Sequence, residues 1–253
     1  MSGSVTVVGL GPGDPSLLTE SARRALDAAT DLIGYFPYVA RVPDRDGLVR
    51  HASDNRVEVD RARHALGLAA AGRHVAVVSG GDPGVFAMAS AVFEAVEHGE
   101  PGWRDLAITV EPGITAMLAA AARLGAPLGG DFCAMSLSDN LKPWPVVTAR
   151  LEAVLRADFV IALYNPISSA RPWQLGAALE LAAGIRPPET PVMFARAISR
   201  PDEAIRVTTL AEAPAAPADM ATMVILGASG TRLIPREGKA PFVYTLRSVP
   251  GAA

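Results

Sequence analysis

The chain has 253 residues, of which 50% are hydrophobic and 19% charged, and its formal net charge is -3. This composition is typical of a globular protein with one large or two small cores. It excludes a general binder of nucleic acid or of acidic membrane surfaces, because either would need a basic excess. The single cysteine, Cys133, cannot form an intrachain disulfide and predicts a packed thiol in a cytoplasmic protein.

The sequence pattern also argues against a secreted or membrane-spanning protein and against a metal-binding protein. The start of the chain has no basic signal region, and its apolar stretches are shorter than the about 20 residues that a membrane-spanning helix needs. The 4 histidines have no metal-ligand spacing. We therefore predict a cytoplasmic protein without a metal ion, a nucleic-acid partner or a membrane partner.

Strands and helices alternate through the first half of the sequence. Short apolar runs that end at glycine or proline predict buried strands, and the longer stretches between them have helical periodicity. Residues 36–55 combine prolines with scattered charge and predict a loop with one short helix. The predicted strands are Val5–Val8, Asp31–Tyr35, His74–Val78 and Leu106–Val110, and the predicted helices are Ser16–Ala29, Val57–Ala71, Val85–His98 and Ile114–Leu124.

The second half has more strands and fewer helices, which predicts a mixed sheet. A polar loop with an aromatic residue, Ser138–Trp144, lies near the change, so we expect an N-terminal domain over residues 1–138 and a C-terminal domain over residues 139–253. The predicted strands are Cys133–Leu137, Phe159–Leu163, Val192–Ala197, Ile205–Leu210, Thr222–Leu226 and Phe242–Leu246, and the predicted helices are Val146–Arg156 and Pro172–Ala183.

Three predicted strands end in loops that contain glycine. These loops are residues 9–15, 80–84 and 111–113. Right-handed crossovers return parallel strands in one direction, so we expect the loops to open on the same edge of one sheet, where small molecules bind. Asp82 in the second loop fits two roles: it binds a ligand there, or it only starts the following helix.

The glycine loops do not match the common nucleotide-binding motifs. The first loop has Asp14 where the dinucleotide fingerprint has its third glycine, Pro12 removes an amide donor, and no Lys-Ser/Thr follows for a P-loop. No Gly-x-Ser-x-Gly elbow occurs and Cys133 has no evident histidine partner, so the sequence does not support a covalent nucleophile. The pattern favours a reaction whose cofactor carries its own leaving group and which depends on alignment.

Together and in this order, Gly9–Pro15, Ser79–Pro83 and Glu111–Ala116 resemble the motifs of the tetrapyrrole methylases, which use S-adenosylmethionine. The resemblance covers nearly the whole chain. It implies that the chain forms a homodimer and has two α/β domains, with the cofactor in the cleft between the domains. The N-terminal domain would have a mostly parallel sheet and the C-terminal domain a mixed sheet. Two further stretches, Met135–Asp139 and Tyr164–Arg171, resemble the branch of the family that serves corrin synthesis, methylates carbon 17 of the macrocycle and contracts the ring.

The resemblance also implies which residues hold S-adenosylmethionine, which leaves as S-adenosylhomocysteine. A carboxylate such as that of Asp82 suits the ribose hydroxyls or the amino group, and loop amides suit the cofactor carboxylate. Around Ala197 the chain departs from the residues that relatives often carry. The implied cofactor residues are Pro12, Gly80, Gly81, Asp82, Val85, Thr115, Ala116, Asn165 and Ala197.

The implied substrate is a small-molecule tetrapyrrole with several carboxylate arms. Guanidinium groups suit such arms because they meet a carboxylate with two hydrogen bonds. Each candidate also fits the plain role of an exposed surface charge. The candidate substrate-binding residues are Lys142, Arg171 and Arg196.

Ring contraction needs proton transfer, so an acid or base is expected near the substrate. Tyr35 and Tyr38 fit either stacking on the macrocycle or packing at the rim of the core. The candidate catalytic residues, two of which also fit a capping role, are Asp14, Ser138 and Asp139.

Other functions stay open on the sequence alone. One is methylation of a different corrin intermediate, an RNA sugar or a protein histidine, of which the low basic charge disfavours RNA. Another is a non-catalytic module that binds a nucleoside cofactor and a tetrapyrrole, and a NAD-dependent oxidoreductase is a more distant alternative. The sequence also does not distinguish a substrate that carries cobalt from one that does not.

Overall fold

A computed structural model of the chain describes residues 3–54, 57–168 and 170–248. These residues form two compact units, the first ending at Thr115 and the second beginning at Ala116. Each unit has its own sheet and its own hydrophobic core. Ser169, within one of the stretches that resemble the family, lies outside the described residues.

The elements of the first unit are, in chain order, β1 (Ser4–Gly9), α1 (Glu20–Ala28), β2 (Asp31–Tyr35), α2 (Phe36–Val39), β3 (Val49–Ser53), α3 (Glu58–Ala70), β4 (His74–Ser79), α4 (Met88–His98) and β5 (Ala107–Glu111), with 3-10 turns at Pro15–Leu17 and Pro101–Asp105. The strands pair in parallel in the order β3-β2-β4-β1-β5. This confirms the parallel sheet predicted for the N-terminal part of the chain.

The core of the first unit lies on both faces of this sheet. Successive side chains of a strand point to opposite faces, so Val75 and Val77 pack with α3 and α4, whereas Ala76 and Val78 pack with α1. Burial on both faces explains why β4 is a continuous apolar run. The carboxyl ends of the parallel strands lie at one edge, and this arrangement brings the glycine loops together.

Residues 36–55 contain a strand that the sequence does not predict. β3 has no apolar run because it is the outermost strand of the sheet, and its Arg50 donates to the carbonyl oxygens of Val39 and Val42 at 2.9 and 2.6 Å. The predicted loop is therefore wrong over Val49–Ser53, whereas the short helix predicted in the same region is confirmed as α2.

A buried carboxylate lies at the amino end of β2. Asp31 is 2% exposed and accepts hydrogen bonds from Thr30 Oγ1 at 2.7 Å, from His51 Nε2 at 2.9 Å and from Arg73 Nε at 2.7 Å. Burial raises the pKa of Asp31, but the bonds from His51, Thr30 and Arg73 together outweigh burial and hold this pKa below its usual value. The charged form of Asp31 therefore stabilises the fold.

Asp31→Asn is expected to lower the free energy of unfolding by about 1–3 kcal/mol at neutral pH, because it removes the charge and one acceptor oxygen from a buried carboxylate that binds three donors. A lowered pKa gives stability that is present above the unfolded-state value of about 3.9 and is lost as the pH falls through the folded-state pKa. Urea unfolding at neutral and acid pH measures this: the gap to wild type should close in acid. Asp27→Asn, at an exposed position of α1, is the control, and equal stability of Asp31→Asn and wild type at neutral pH would contradict the account of the cluster.

The elements of the second unit are, in chain order, α5 (Ala116–Leu124), β6 (Gly125–Ala126), β7 (Phe132–Ser136), α6 (Trp144–Arg156), β8 (Val160–Tyr164), α7 (Gln174–Ala183), β9 (Pro191–Arg196), β10 (Ala204–Thr209), a 3-10 turn (Ala213–Ala215), β11 (Thr222–Leu226), β12 (Thr231–Arg236) and β13 (Lys239–Thr245). In the sheet β10-β9-β11-β8-β7, the strands β7 and β8 pair in parallel and the other neighbours pair antiparallel. This confirms the predicted mixed sheet.

A smaller sheet in the order β12-β13-β6 completes the second unit. The sequence does not predict β12, which contains Pro235, and the pairing register shifts between Ile234 and Arg236. Proline has no N–H to donate, so within sheets it occurs at edges and bulges. An edge strand with a bulge therefore accommodates Pro235.

The two units divide after Thr115, whereas the sequence predicts a boundary after residue 138. The difference has a structural reason. The helix α5 contacts β6, β11 and β13, and β7 pairs with β8. Residues 116–138 therefore belong to the second unit by their contacts.

Candidate functional site

The loops that follow β1, β4 and β5 meet at the carboxyl edge of the first sheet. Gly11 N–H donates to the carbonyl of Gly81 at 3.1 Å, and Gly81 N–H donates to the carbonyl of Gly11 at 2.9 Å. Both residues have φ of +66°, a conformation that glycine adopts at little cost. The predicted meeting of the loops at one edge is confirmed.

Glycine is also required where the first and third loops touch. A Cβ on Gly113 would lie 2.2 Å from the carbonyl oxygen of Gly81 and 2.9 Å from the carbonyl carbon of Gly9. A Cβ on Gly9 would lie 2.7 Å from the nitrogen of Gly113. Because all of these neighbours are backbone atoms, the three loops pack backbone against backbone with no space for a side chain between them.

The carboxylate of Asp82 joins two of these loops. Its Oδ1 accepts the N–H of Gly84 at 2.8 Å, and its Oδ2 accepts the N–H of Gly113 at 3.0 Å. The first bond closes a tight turn, but α4 begins only at Met88, so Asp82 does not start this helix. The second bond is a link that the sequence does not predict. Hydrogen bonds to a charged acceptor are strong, so Asp82 fixes the second loop against the third.

The other candidate cofactor residues of the first unit lie in the same loops. Pro12 and Thr115 are buried, and Val85 is half-buried. Gly80 lies against the ring of Tyr38, where a Cβ would be 2.7 Å from Cε1. This contact shows the packing role that the sequence analysis considers for Tyr38.

Asp14 caps the 3-10 turn Pro15–Leu17. Its Oδ1 accepts the N–H of Ser16 at 2.8 Å. The following helix α1 begins behind Thr19, whose Oγ1 accepts the N–H of Ala22 at 3.2 Å, so the predicted start of this helix at Ser16 is wrong. The structure thus gives Asp14 the capping role, and its part in proton transfer stays a prediction.

In the second unit, β7, β8 and β9 end at the same edge of their sheet. Asn165 follows β8 with φ of +51° and donates from Nδ2 to Oγ of Ser136 at 2.9 Å, and Ala197 follows β9 with φ of +48°. Asparagine tolerates this left-handed backbone, whereas in alanine it costs about 1–2 kcal/mol. Such strain is concentrated at functional sites, so Ala197 is a strained position. A third candidate cofactor residue, Ala116, begins α5.

Asp139 and Arg171, which the sequence analysis assigns to different roles, pair with each other. Arg171 Nη1 lies 2.9 Å from Asp139 Oδ1, and it also donates to Oδ1 of Asn140. Gln174, which is 2% exposed, donates from Nε2 to the same oxygen of Asp139 at 3.0 Å. Ser138 is half-buried beside this network. The carboxylate of Asp139 is thus held in place by two donors.

Lys142 lies further along the same polar loop and is half-buried. Burial lowers its pKa, and the nearby charge of Arg150 lowers this pKa further. Both effects disfavour the charged form, whereas a carboxylate bound beside the amine would favour it. The role of Lys142 as a substrate-binding residue stays a prediction.

Arg196, at the end of β9, is held by two carboxylates. Its Nε donates to Asp219 Oδ2 at 2.7 Å, and its Nη1 donates to Asp202 Oδ2 at 2.8 Å. The bonds from Arg196 to Asp202 and to Asp219 raise the pKa of Arg196 above its usual value. The two acids hold Nε and Nη1 of the guanidinium, and the role of Arg196 as a substrate-binding residue stays a prediction.

Three further side chains lie at these edges that no sequence motif indicates. Gln174 bonds to Asp139, which lies 35 residues earlier in the chain, and no sequence motif indicates this pairing. Phe36 and Phe86 follow β2 and β4 and are 54% and 49% exposed. Their aromatic character is visible in the sequence, but their exposure depends on the fold.

The remaining sequence predictions concern metals, membranes and the thiol. Among the described residues, no group of three or more histidine, cysteine, aspartate or glutamate side chains is placed to hold a metal ion. In the same part of the chain, none of the helices combines the length and the apolar character that a membrane span requires. Cys133 packs against the core of the second unit, and burial raises its pKa, as expected of an unreactive thiol.

Comparison with known proteins gives matches across both units. A family model described as Tetrapyrrole (Corrin/Porphyrin) Methylases matches residues 4–214. A precorrin-3B C(17)-methyltransferase of a Sinorhizobium species is 56% identical over 100% of both chains. The crystal structure of the methyltransferase CobJ has a TM-score of 0.91 at 53% identity and covers 97% of this chain and 100% of its own. A uroporphyrin-III C-methyl transferase from Thermus thermophilus, complexed with S-adenyl homocysteine, has a TM-score of 0.67 at 25% identity and covers 88% of this chain and 97% of its own.

Proposed function

The chain belongs to the tetrapyrrole methylase family, and we propose that this methyltransferase of cobalamin synthesis transfers a methyl group from S-adenosylmethionine to carbon 17 of precorrin-3B and contracts the ring to precorrin-4. The observation that carries the proposal is 56% identity, over 100% of both chains, to a precorrin-3B C(17)-methyltransferase. The relative complexed with S-adenyl homocysteine supports the choice of cofactor.

The loops of the first unit fit this cofactor by their chemistry. Contacts under 3 Å to backbone atoms exclude side chains at Gly9 and Gly113, so the three loops pack closely at the carboxyl edge of the sheet, where ligands bind in α/β folds. Backbone N–H and C=O groups suit the carboxylate, the amino group and the ribose hydroxyls of S-adenosylmethionine. When bound, the cofactor supplies an electrophilic methyl group and a neutral thioether leaving group.

Within that unit we assign the direct contacts to loop residues and the positioning to Asp82. Gly80 offers backbone groups, Gly81 holds its neighbour in place through its two bonds to Gly11, and Pro12, Val85 and Thr115 lie beside these loops. Both oxygens of Asp82 are used by Gly84 and Gly113 N–H groups. Asp82 therefore acts first by fixing the loops, and an alignment-dependent methyl transfer relies on such fixed groups.

In the second unit, Asn165, Ala116 and Ala197 remain the proposed cofactor contacts, supported by the strained backbone of Ala197. Lys142 and Arg171 are the proposed contacts of the substrate carboxylates. The proposed proton carrier is Asp139, because Arg171 and Gln174 hold its carboxylate in one place; Ser138 and Asp14 are its alternatives.

The family resemblance supports a homodimer and a cytoplasmic location.

Two measurements test the proposal. Isothermal titration is expected to show S-adenosylhomocysteine binding in the micromolar range, and anaerobic incubation with S-adenosylmethionine and precorrin-3B is expected to release S-adenosylhomocysteine. Binding without release would favour the non-catalytic alternative, and no binding would refute the cofactor. A parallel incubation with the cobalt-containing counterpart distinguishes the two routes of corrin synthesis.

A further inference from the structure

Two exposed phenylalanines lie at the carboxyl edge of the first sheet. Phe36 is the first residue of α2, directly after β2, and is 54% exposed. Phe86 follows the loop after β4 and is 49% exposed. Because β2 and β4 are parallel neighbours, their carboxyl ends present both residues at the same edge as the glycine loops.

The backbone of Phe86 is strained. Its φ is +52°, in the left-handed region that is a true outlier for a bulky residue. Glycine would adopt this conformation at little cost, yet the chain has an aromatic residue here, four positions after Asp82 and shortly before α4 begins at Met88. Backbone strain of this kind is concentrated at binding and catalytic sites.

The neighbouring aromatic residues are committed to packing. Tyr38 lies against Gly80, and its ring meets that of Tyr35 edge-on with centroids 5.7 Å apart. Both tyrosines are half-buried. The two phenylalanines thus keep more exposed aromatic surface than the two tyrosines at this edge.

We propose that Phe36 and Phe86 form a contact surface for the apolar face of the tetrapyrrole macrocycle, with Phe86 as a specificity-determining residue. The inference rests on the proposed function. The macrocycle is the ligand that fits this surface by position. The surface adjoins the loops assigned to the methyl donor, and the substrate must lie beside the donated methyl group. Flat rings favour contact with aromatic side chains, and a tetrapyrrole has an extended apolar face inside its rim of carboxylates.

The first test compares three phenylalanine-to-leucine variants in steady-state kinetics with precorrin-3B. Phe36→Leu and Phe86→Leu are each expected to raise the KM for precorrin-3B by about 3- to 10-fold, the loss that an aromatic contact predicts. Titration should leave their affinity for S-adenosylhomocysteine at the wild-type value. Phe93→Leu is the matched control, because Phe93 is 50% exposed on α4 of the same unit, and its KM should not change.

A second variant separates contact from folding. Phe86→Gly removes the ring and relieves the left-handed strain, so its melting temperature should equal or exceed that of Phe86→Leu while its KM for precorrin-3B rises at least as much. A purely structural role of Phe86 predicts a lower melting temperature with an unchanged KM.

Several results would overturn the inference. An unchanged KM in Phe86→Leu would do so, as would the same rise in Phe93→Leu. A matching loss of S-adenosylhomocysteine affinity would place Phe86 in the cofactor site, and a changed mass in size-exclusion chromatography with an unchanged KM would assign the surface to a second copy of the chain. Failure of the proposed function is distinguishable, because wild type itself would then not bind S-adenosylhomocysteine or turn over precorrin-3B.

Discussion

Asp82→Asn is expected to weaken the binding of S-adenosylhomocysteine by about 100-fold, equivalent to about 3 kcal/mol. The carboxylate of Asp82 accepts the N–H groups of Gly84 and Gly113 at 2.8 and 3.0 Å. An asparagine amide has one acceptor oxygen, so its NH₂ group would face one of these donors. The loops would then separate, and the backbone groups proposed to hold the cofactor would be displaced. Isothermal titration measures the effect.

The control for Asp82→Asn is Asp27→Asn, which makes the same chemical change at an exposed position of α1. Circular dichroism should show that both variants fold. Wild-type affinity in a folded Asp82→Asn protein would contradict the positioning role of Asp82.

Gly113→Ala is expected to abolish measurable S-adenosylhomocysteine binding and to lower the free energy of unfolding by about 2–3 kcal/mol, as overpacking does. The added Cβ would lie 2.2 Å from the carbonyl oxygen of Gly81. This neighbour is backbone, and Gly81 is tied to Gly11 by two hydrogen bonds, so the loops have to move apart. Urea unfolding and titration measure the two effects.

Gly67→Ala is the matched control for Gly113→Ala. Gly67 lies inside α3, and a Cβ there would meet nothing within 4 Å. Alanine is favoured over glycine in a helix interior by about 1 kcal/mol, so the same substitution should stabilise the protein and leave cofactor affinity unchanged. Normal binding by Gly113→Ala would show that the close packing of the loops is not needed.

Much of the fold is predictable because the central strands of the two larger sheets are buried on both faces. Continuous apolar runs such as His74–Ser79 are a direct consequence of that burial. Three strands that the sequence does not predict, β3, β6 and β12, are all at sheet edges. An edge strand lacks a neighbour on one side and tolerates polar residues or proline, and β6 has only 2 residues. The predicted boundary at residue 138 differs from the division after Thr115 because strand pairing is a long-range property.

The candidate site is predictable in its loops but not in its bonds. The three glycine loops are visible as motifs, and parallel strands bring them to one edge. The link from Asp82 to Gly113 is not visible, because it spans 31 residues and depends on loop conformation. The same holds for the bonds from Arg196 to Asp202 and Asp219. Asp219 lies just before β11, which pairs antiparallel with β9, and Asp202 lies in the turn that follows β9.

The most direct test of the proposed function is the structure of the product formed from precorrin-3B and S-adenosylmethionine with an isotope-labelled methyl group. Mass spectrometry and NMR are expected to show one labelled methyl on carbon 17 of a contracted macrocycle, with one S-adenosylhomocysteine released for each product. Label at another carbon, or a methylated macrocycle that is not contracted, would contradict the assignment.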